Sequence, residues 1–401
     1  MGIDTIPKWE WKLLHPNIPD PGDSAPGPRE LPGGLVSYQE KIFAFGGGTA
    51  KHGTPEHSGD LTKMGALNDL WRFDPQKTTW TKLENDDGRA GSMFNDVKPC
   101  GRMLPALASI DDKLYLFGGL TVLGAGWRPS LMNDLWSYEP DSGVWELIEP
   151  DDSRNLGSPY QVDAERPTVV GAVGYATIED SLYIFGGWAG AIPTRNRETG
   201  QWNWFYMSPQ LWSYNTVSRT WTHHGPGSPD SPNWPAKRYC PAMTSWNGKL
   251  YLWGGRDTTD RTPEFYNDLW EYDPSSGDWN KLQDTDAQDS GRPVPRYGLG
   301  QARIGNHWYL FGGFGSEVGN GPQLNDLWRF DLDSKRWECL YAHNASKDYS
   351  DNAERPGVKR VMGMTSLGES IYIFAGMDLG TGPNDDGPLT AYNDFWRGTP
   401  I

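Results

Sequence analysis

Leu114-Tyr-Leu-Phe-Gly-Gly119, followed by Asn133-Asp-Leu-Trp136 and then by Trp145, decides the fold because it recurs. The second half returns as Asn68-Asp-Leu-Trp71…Trp80, Gln210-Leu-Trp212…Trp221, Asn267-Asp-Leu-Trp270…Trp279 and Asn325-Asp-Leu-Trp328…Trp337. The two tryptophans stand nine residues apart in all five copies. The paired glycines return as Gly46-Gly47, Gly186-Gly187, Gly254-Gly255 and Gly312-Gly313, with Ala375-Gly376 as a sixth variant. A fixed register of this kind marks a repeat array, which overrides the two or three domains that 401 residues would otherwise suggest.

The fifth copy shows the unit. Tyr297-Gly-Leu-Gly-Gln-Ala302 is a first strand of small residues, as expected where six strands crowd one axis. Gly305-Asn306 turns the chain into Trp308-Tyr-Leu-Phe311, apolar enough to be buried on both faces. Gly312-Gly313 ends that strand where the backbone needs positive φ or a close neighbour. Leu327-Trp-Arg-Phe330 alternates as a third strand, Asp331 to Lys335 turns, and Arg336-Trp-Glu-Cys-Leu340 is the outer strand. The sixth copy has Asn393-Asp-Phe-Trp396 but no tryptophan nine residues on. Trp9-Glu-Trp11-Lys-Leu-Leu14 resembles Trp80-Thr-Lys-Leu83, so residues 8–14 are expected to supply the missing outer strand and close the ring.

Double glycine, a later aromatic, then a tryptophan after a short turn is similar to the kelch motif. The resemblance covers nearly the whole chain. It implies an all-β fold: one six-bladed kelch β-propeller over 1–401, with four antiparallel strands per blade. Kelch propellers serve as adaptors, enzymes and sugar binders, so the fold leaves function open.

Bulk properties narrow the classes. A formal charge of −16 argues against nucleic acid or an anionic membrane as partner. The N-terminus has no apolar stretch and no apolar run reaches membrane-spanning length, so a cytoplasmic, soluble protein is expected. Cys100, Cys240 and Cys339 are too scattered for a disulfide framework or a metal site and read as small buried thiols. His52 and His57, with Glu56 and Asp60, form one compact metal-ligand cluster, but on a Gly/Pro-containing loop with no scaffold. No phosphate loop and no nucleophile motif is present. No match to the iron-binding loop of plant kelch specifier proteins, or to the Cys–Tyr and His set of kelch-type copper oxidases, is found. Neither a metal nor a cofactor is expected.

The extra length gathers in two loop types, between second and third strands and between fourth and first. In an up-and-down blade both emerge on one face, where function usually resides. Arg102, Arg238 and Arg296 each stand 17 residues before the second glycine of their repeat, and Arg29 and Arg360 stand 18 and 16 before theirs. They are expected round the mouth of the central channel, with Val170 in the third copy's place. There they could hold an anion or polarise a carbonyl. Alternatively they bond backbone carbonyls of the adjacent blade, or loop carboxylates such as Glu165 and Glu354. Arginines of kelch adaptors bind acidic peptides, which the resemblance brings into play here. Aromatic and other loop residues outside the repeat, Trp127, Trp188, Trp202, Trp204, Phe205, Arg256, Phe314 and Met377, either pack loop against loop or wall a pocket for a flat ligand.

At the level of architecture the chain resembles stand-alone kelch-type proteins of fungal natural-product pathways, which include hetero-Diels–Alder cyclases. That resemblance implies a cofactor-free cyclase. Arg102, Arg238 and Arg296 would polarise an oxygen, and the aromatics with Arg29, Arg256, Arg360 and Met377 would bind the reactants. The rival reading is a binding module whose arginine-lined face captures an acidic peptide or glycan.

Overall fold

A computed structural model describes residues 9–29, 34–50, 64–88, 97–123, 128–152, 165–168, 170–189, 194–195, 202–203, 206–226, 233–258, 264–287, 291–315, 323–348, 350, 352–379 and 389–401. Their regular structure is entirely β. Six antiparallel sheets follow one another along the chain as six blades. Blade 2 shows the order: Ala106–Ile110, Lys113–Leu123, Arg128–Glu139 and Val144–Glu149, each strand pairing with the next. Blade 6 is built from Gly363–Leu367, Ser370–Phe374 and Phe395–Pro400 and completed by Trp9–His15, which pairs antiparallel with Phe395–Pro400. The propeller is therefore closed by joining its two ends, and that seam leaves no free sheet edge.

The repeated tryptophans have a packing reason. The outer-strand tryptophan of each blade lies against an aromatic of the preceding blade's second strand. Phe45 meets Trp145 at 5.6 Å between ring centroids, Phe117 meets Trp221 at 4.8 Å, Phe185 meets Trp279 at 5.7 Å, and Trp253 meets Trp337 at 5.7 Å. Phe374 meets Trp80 at 5.4 Å across the seam between the last and first blades. Trp11, from the N-terminal strand, meets Phe311 at 6.1 Å. Each contact buries two large rings in an edge or tilted arrangement, which the ring quadrupole favours. The core is thus six layers between blades, not one central mass.

The paired glycines answer to the same geometry. Gly118 sits at φ 61°, and a Cβ there would lie 2.5 Å from the carbonyl oxygen of Val170, on the next blade. Only a residue without a side chain lets the neighbouring backbone come that near.

Candidate functional site

The long-loop face is reached through the heads of the innermost strands, where the sequence places its arginines. The Arg102 guanidinium is buried and fully engaged. Nη1 and Nη2 donate to the two Asp134 carboxylate oxygens, both at 2.7 Å. Nη1 also donates to the Gly118 carbonyl at 3.0 Å and Nε to the Cys100 carbonyl at 3.1 Å. Arg238 repeats this clamp with Asp268, Gly254 and Ala236, and Arg296 with Asp326, Gly312 and Val294. Arg29 repeats it with Asp69, Gly46 and Gly27. The same aspartates accept from the indole of the repeat's first tryptophan, as Asp134 does from Trp136 at 2.8 Å. The backbone of the clamp residue joins blades: the Gly47 N–H donates to the Arg102 carbonyl at 3.0 Å, and the Arg102 N–H to Leu67 at 3.1 Å.

This corrects the expectation for Arg102, Arg238, Arg296 and Arg29. Nearly all their donors go to carbonyls and a carboxylate, four of the five N–H groups on Arg29, Arg238 and Arg296 and, with the Cys100 sulfur taking one, all five on Arg102, so they hold blade corners. The bland alternative describes them, although the carboxylates are the aspartates of the repeat and not Glu165 or Glu354. The register of Arg360 also shifts by one. Lys359 fills the clamp position of blade 6, with its Nζ donating to Asp394 at 2.6 and 2.7 Å. Arg360 takes the next position, which points into the mouth.

At that next position the strand heads pair with the residues that follow the glycines: Met103 with Leu120, Gly171 with Trp188, Tyr239 with Arg256, Tyr297 with Phe314 and Arg360 with Met377. Trp188 stacks on Tyr239 at 4.9 Å, and Tyr239 tilts against Tyr297 at 5.1 Å. Phe265 stacks on Phe314 at 6.2 Å. The Arg256 guanidinium lies 4.6 Å from the Phe265 ring centre and 5.4 Å from that of Tyr297. Arg360 lies 4.9 Å from Phe314, and its Nη1 donates to the Tyr297 hydroxyl at 2.7 Å. Met103, Leu120, Leu131 and Met377 form an aliphatic half of the same floor. Of the predicted binding residues the structure therefore gathers Trp188, Arg256, Phe314, Arg360 and Met377. Trp202 enters a short strand opposite Arg195. Trp127, Trp204 and Phe205 lie outside the described residues, as do His52, Glu56, His57 and Asp60.

Most of this floor is buried, while Trp188 and Arg256 are half-buried at its edge. Burial, aided by Tyr297, raises the Tyr239 hydroxyl well above the ordinary phenol range against the pull of Arg256. Burial likewise pushes the Cys240 thiol up to about 12, so it is no thiolate nucleophile. Among the described residues no carboxylate pairs with Arg256, and its Nε is buried without a hydrogen-bond partner.

Beneath the floor runs a belt of left-handed residues: Leu104, Ala172, Cys240, Gly298 and Val361. Each N–H donates to the carbonyl of the belt residue before it: Ala172 to Leu104, Cys240 to Ala172, Gly298 to Cys240 and Val361 to Gly298, at 2.6 to 3.3 Å. Below the belt the channel holds a cavity of about 120 Å³, and nearer the turn face a second of about 240 Å³. Among the described residues no His, Cys, Asp and Glu are grouped to hold a metal ion, and no helix is long and apolar enough to cross a membrane.

Tyr239, Tyr297, Phe265 and Lys359 were not anticipated from the sequence. The clamp partner was legible, because an aspartate precedes Leu or Phe-Trp in each repeat that has a cation at the clamp position and gives way to Gln210 where Val170 replaces it.

Comparison with known proteins agrees with the architecture. A kelch-motif family model matches residues 237–286. Host cell factor of Drosophila melanogaster is 27% identical over 255 residues, covering 62% of this chain and 15% of that protein. The N-(sulfonatooxy)prop-2-enimidothioate sulfolyase of Thlaspi arvense is 25% identical over 304 residues, 74% of each chain. Kelch domain-containing protein 10 of Homo sapiens is 23% identical over 309 residues, 77% of this chain and 59% of that protein. The chain thus spans a small part of host cell factor and a little over half of the human relative. Six blades, the glycine pairs that let them approach and the matched motif lead to one conclusion: the chain is a kelch-repeat β-propeller.

Proposed function

We propose that this propeller binds a flat, oxygen-bearing small molecule at the long-loop mouth, stacked on Trp188 with its oxygen on Arg256. One observation carries the reading. The clamp cations at this face, Arg29, Arg102, Arg238, Arg296 and Lys359, are each matched by a buried aspartate and Arg360 donates to the Tyr297 hydroxyl, whereas Arg256 faces aromatic rings and, among the described residues, no carboxylate. A guanidinium in partly dry surroundings gains most from a ligand oxygen that supplies the missing acceptor. The sulfolyase relative, named for a sulfated small molecule, supports a kelch propeller taking such a ligand.

The activity we assign is cofactor-free cyclisation of the hetero-Diels–Alder kind. It needs proximity, orientation and a donor to a carbonyl, and no nucleophile. The polarising role passes from the clamp arginines to Arg256, with Arg360 holding the Tyr297 hydroxyl beside it.

The test is a melting-point screen of the purified protein at low and high salt. Its probes are planar polycyclic carbonyl compounds, planar carboxylates and acidic peptides. A ligand at a hundred times its Kd adds about 2.7 kcal/mol of stability. The expected result is a salt-insensitive rise from a planar compound, lost in Arg256→Met and in Trp188→Ala. A rise from acidic peptides alone, abolished at high salt, overturns the small-molecule reading in favour of peptide capture. Unchanged rate and stereochemistry of candidate cyclisations with a compound that does bind would remove the enzymatic part.

A further inference from the structure

The opposite end of the channel offers a second site, built from different residues. Along each innermost strand alternate side chains face the axis. On blades 2 to 6 the last such position holds Ser109, Thr177, Ser245, Arg303 and Ser366, all lining the 240 Å³ cavity. One layer deeper stand Leu107, Tyr175, Met243, Gln301 and Met364. The cavity therefore has a polar rim over a deeper layer that is apolar at Leu107, Met243 and Met364 and polar at Gln301.

Arg303 breaks the hydroxyl pattern. Its Nη1 donates to the Gly305 carbonyl at 2.7 Å, and its guanidinium lies 5.5 Å from the Trp246 ring centre, which fixes it at the rim. No carboxylate among the described residues pairs with it, in a chain whose net charge is −16. Its other N–H groups have no protein acceptor among the described residues. Two of the hydroxyls are engaged, since Ser245 donates to Thr177 O at 2.7 Å and Ser366 to Arg303 O at 2.8 Å. Ser109 and Thr177, across the channel from Arg303, keep their hydroxyl protons free of any protein acceptor among the described residues. The turns at the rim of blades 2 and 3 carry Asp111, Asp112, Glu179 and Asp180. That negative flank disfavours a doubly charged ligand such as sulfate or phosphate and leaves room for a single charge on the Arg303 side.

We propose that the turn-face end of the channel binds a short amphipathic monocarboxylate, with its carboxylate on Arg303 and its chain lying toward Leu107, Met243 and Met364. The two cavities share Leu35, Tyr175, Gln301 and Met364, so the chain runs from the rim toward the belt at Leu104, Ala172, Cys240, Gly298 and Val361, which lines the inner cavity. Affinity rises with each added methylene and stops rising once the chain reaches the belt.

Calorimetric titration of the full chain with straight-chain carboxylates from acetate to decanoate tests this. Matched alcohols, alkylammonium ions and sulfate serve as controls. The expected pattern is a chain-length optimum, with the matched alcohol about tenfold weaker, the order that one charge-assisted contact supports. Arg303→Met keeps the stem against Trp246 and removes the charge, so it should weaken the best carboxylate about tenfold with an unchanged melting point. Arg256→Met, at the other mouth, should leave this binding as it is. No heat from any carboxylate at millimolar concentration, equal binding of sulfate, no dependence on chain length, or wild-type affinity in Arg303→Met would each overturn the proposal.

Discussion

Five blades carry a buried cation–aspartate clamp and the third does not. In blade 3, Val170 stands where the others have Arg or Lys, and Gln210 where they have Asp. The Trp212 indole donates to Gln210 at 3.2 Å, the bond that Asp134 accepts from Trp136 in blade 2. Val170 packs into the apolar layer with Ala106 and Leu135. The clamp is thus not required for a blade to form. What matters is that both halves change together, because a buried ion pair breaks even with an apolar pair while half of one is costly.

The sharpest way to break that comparison is to rebuild blade 4 in the image of blade 3. Arg238→Val alone strands Asp268 in the interior and should cost about 3–5 kcal/mol, read as a lower denaturant midpoint. Arg238→Val with Asp268→Gln should recover most of the loss. A double variant as unstable as the single one would mean that the third blade survives by other contacts.

A smaller effect separates glycines at blade contacts from glycines in turns. Gly118→Ala forces a Cβ against Val170 O, whereas Gly277, at φ 76°, has open space around it. Gly277→Ala should cost about 1–2 kcal/mol, the penalty of a left-handed non-glycine residue alone. Gly118→Ala should exceed it, and equal losses by thermal melting would show that the blades relax apart freely.

Acid gives the smallest change and compares the clamps with a half-exposed network. Burial works to raise the Glu271 carboxyl, but hydrogen bonds from Tyr251, Lys249 and Lys335 outweigh it and bring it down to about 2. Asp326 in the blade 5 clamp is also held below its usual value, against burial, by Arg296. A carboxylate lowered in the folded state stabilises above its unfolded pKa, and that stability is lost as pH falls through the folded value. Between roughly pH 4.5 and 2 the Glu271 contribution, on the order of 1 kcal/mol for so exposed a network, should disappear. Glu271→Gln should flatten that part of the stability profile. An unchanged slope would place the acid response elsewhere.

The ring of blades was readable because its cause is periodic. Each Trp–Trp spacing and each glycine pair reports one contact between neighbouring blades, and the stretch from Trp9 to Leu14 could be matched to that from Trp80 to Leu83, though which tryptophan answers to Trp80 came only from the pairing of Trp11 with Gly398. The arginines were read in nearly the right register and assigned the wrong task. A position counted from the glycines says where a side chain starts, not which acceptors surround it, and the acceptors are what set Arg102 apart from a mouth residue such as Arg256. Lys359 and Arg360 stand side by side, so counting by residue type picked the wrong one. Tyr297 and Phe265 meet Arg256 through chain reversals whose lengths differ in every blade, and no repeat reports that.

The belt under the long-loop mouth has a mechanical consequence. Its amide links all run in one rotational sense from blade to blade, like the staves of a cask held by a hoop. Spreading any two neighbours among blades 2 to 6 at that level stretches the link between them and passes the load along the belt. A ligand that wedged two of these blades apart would therefore strain every link in the run.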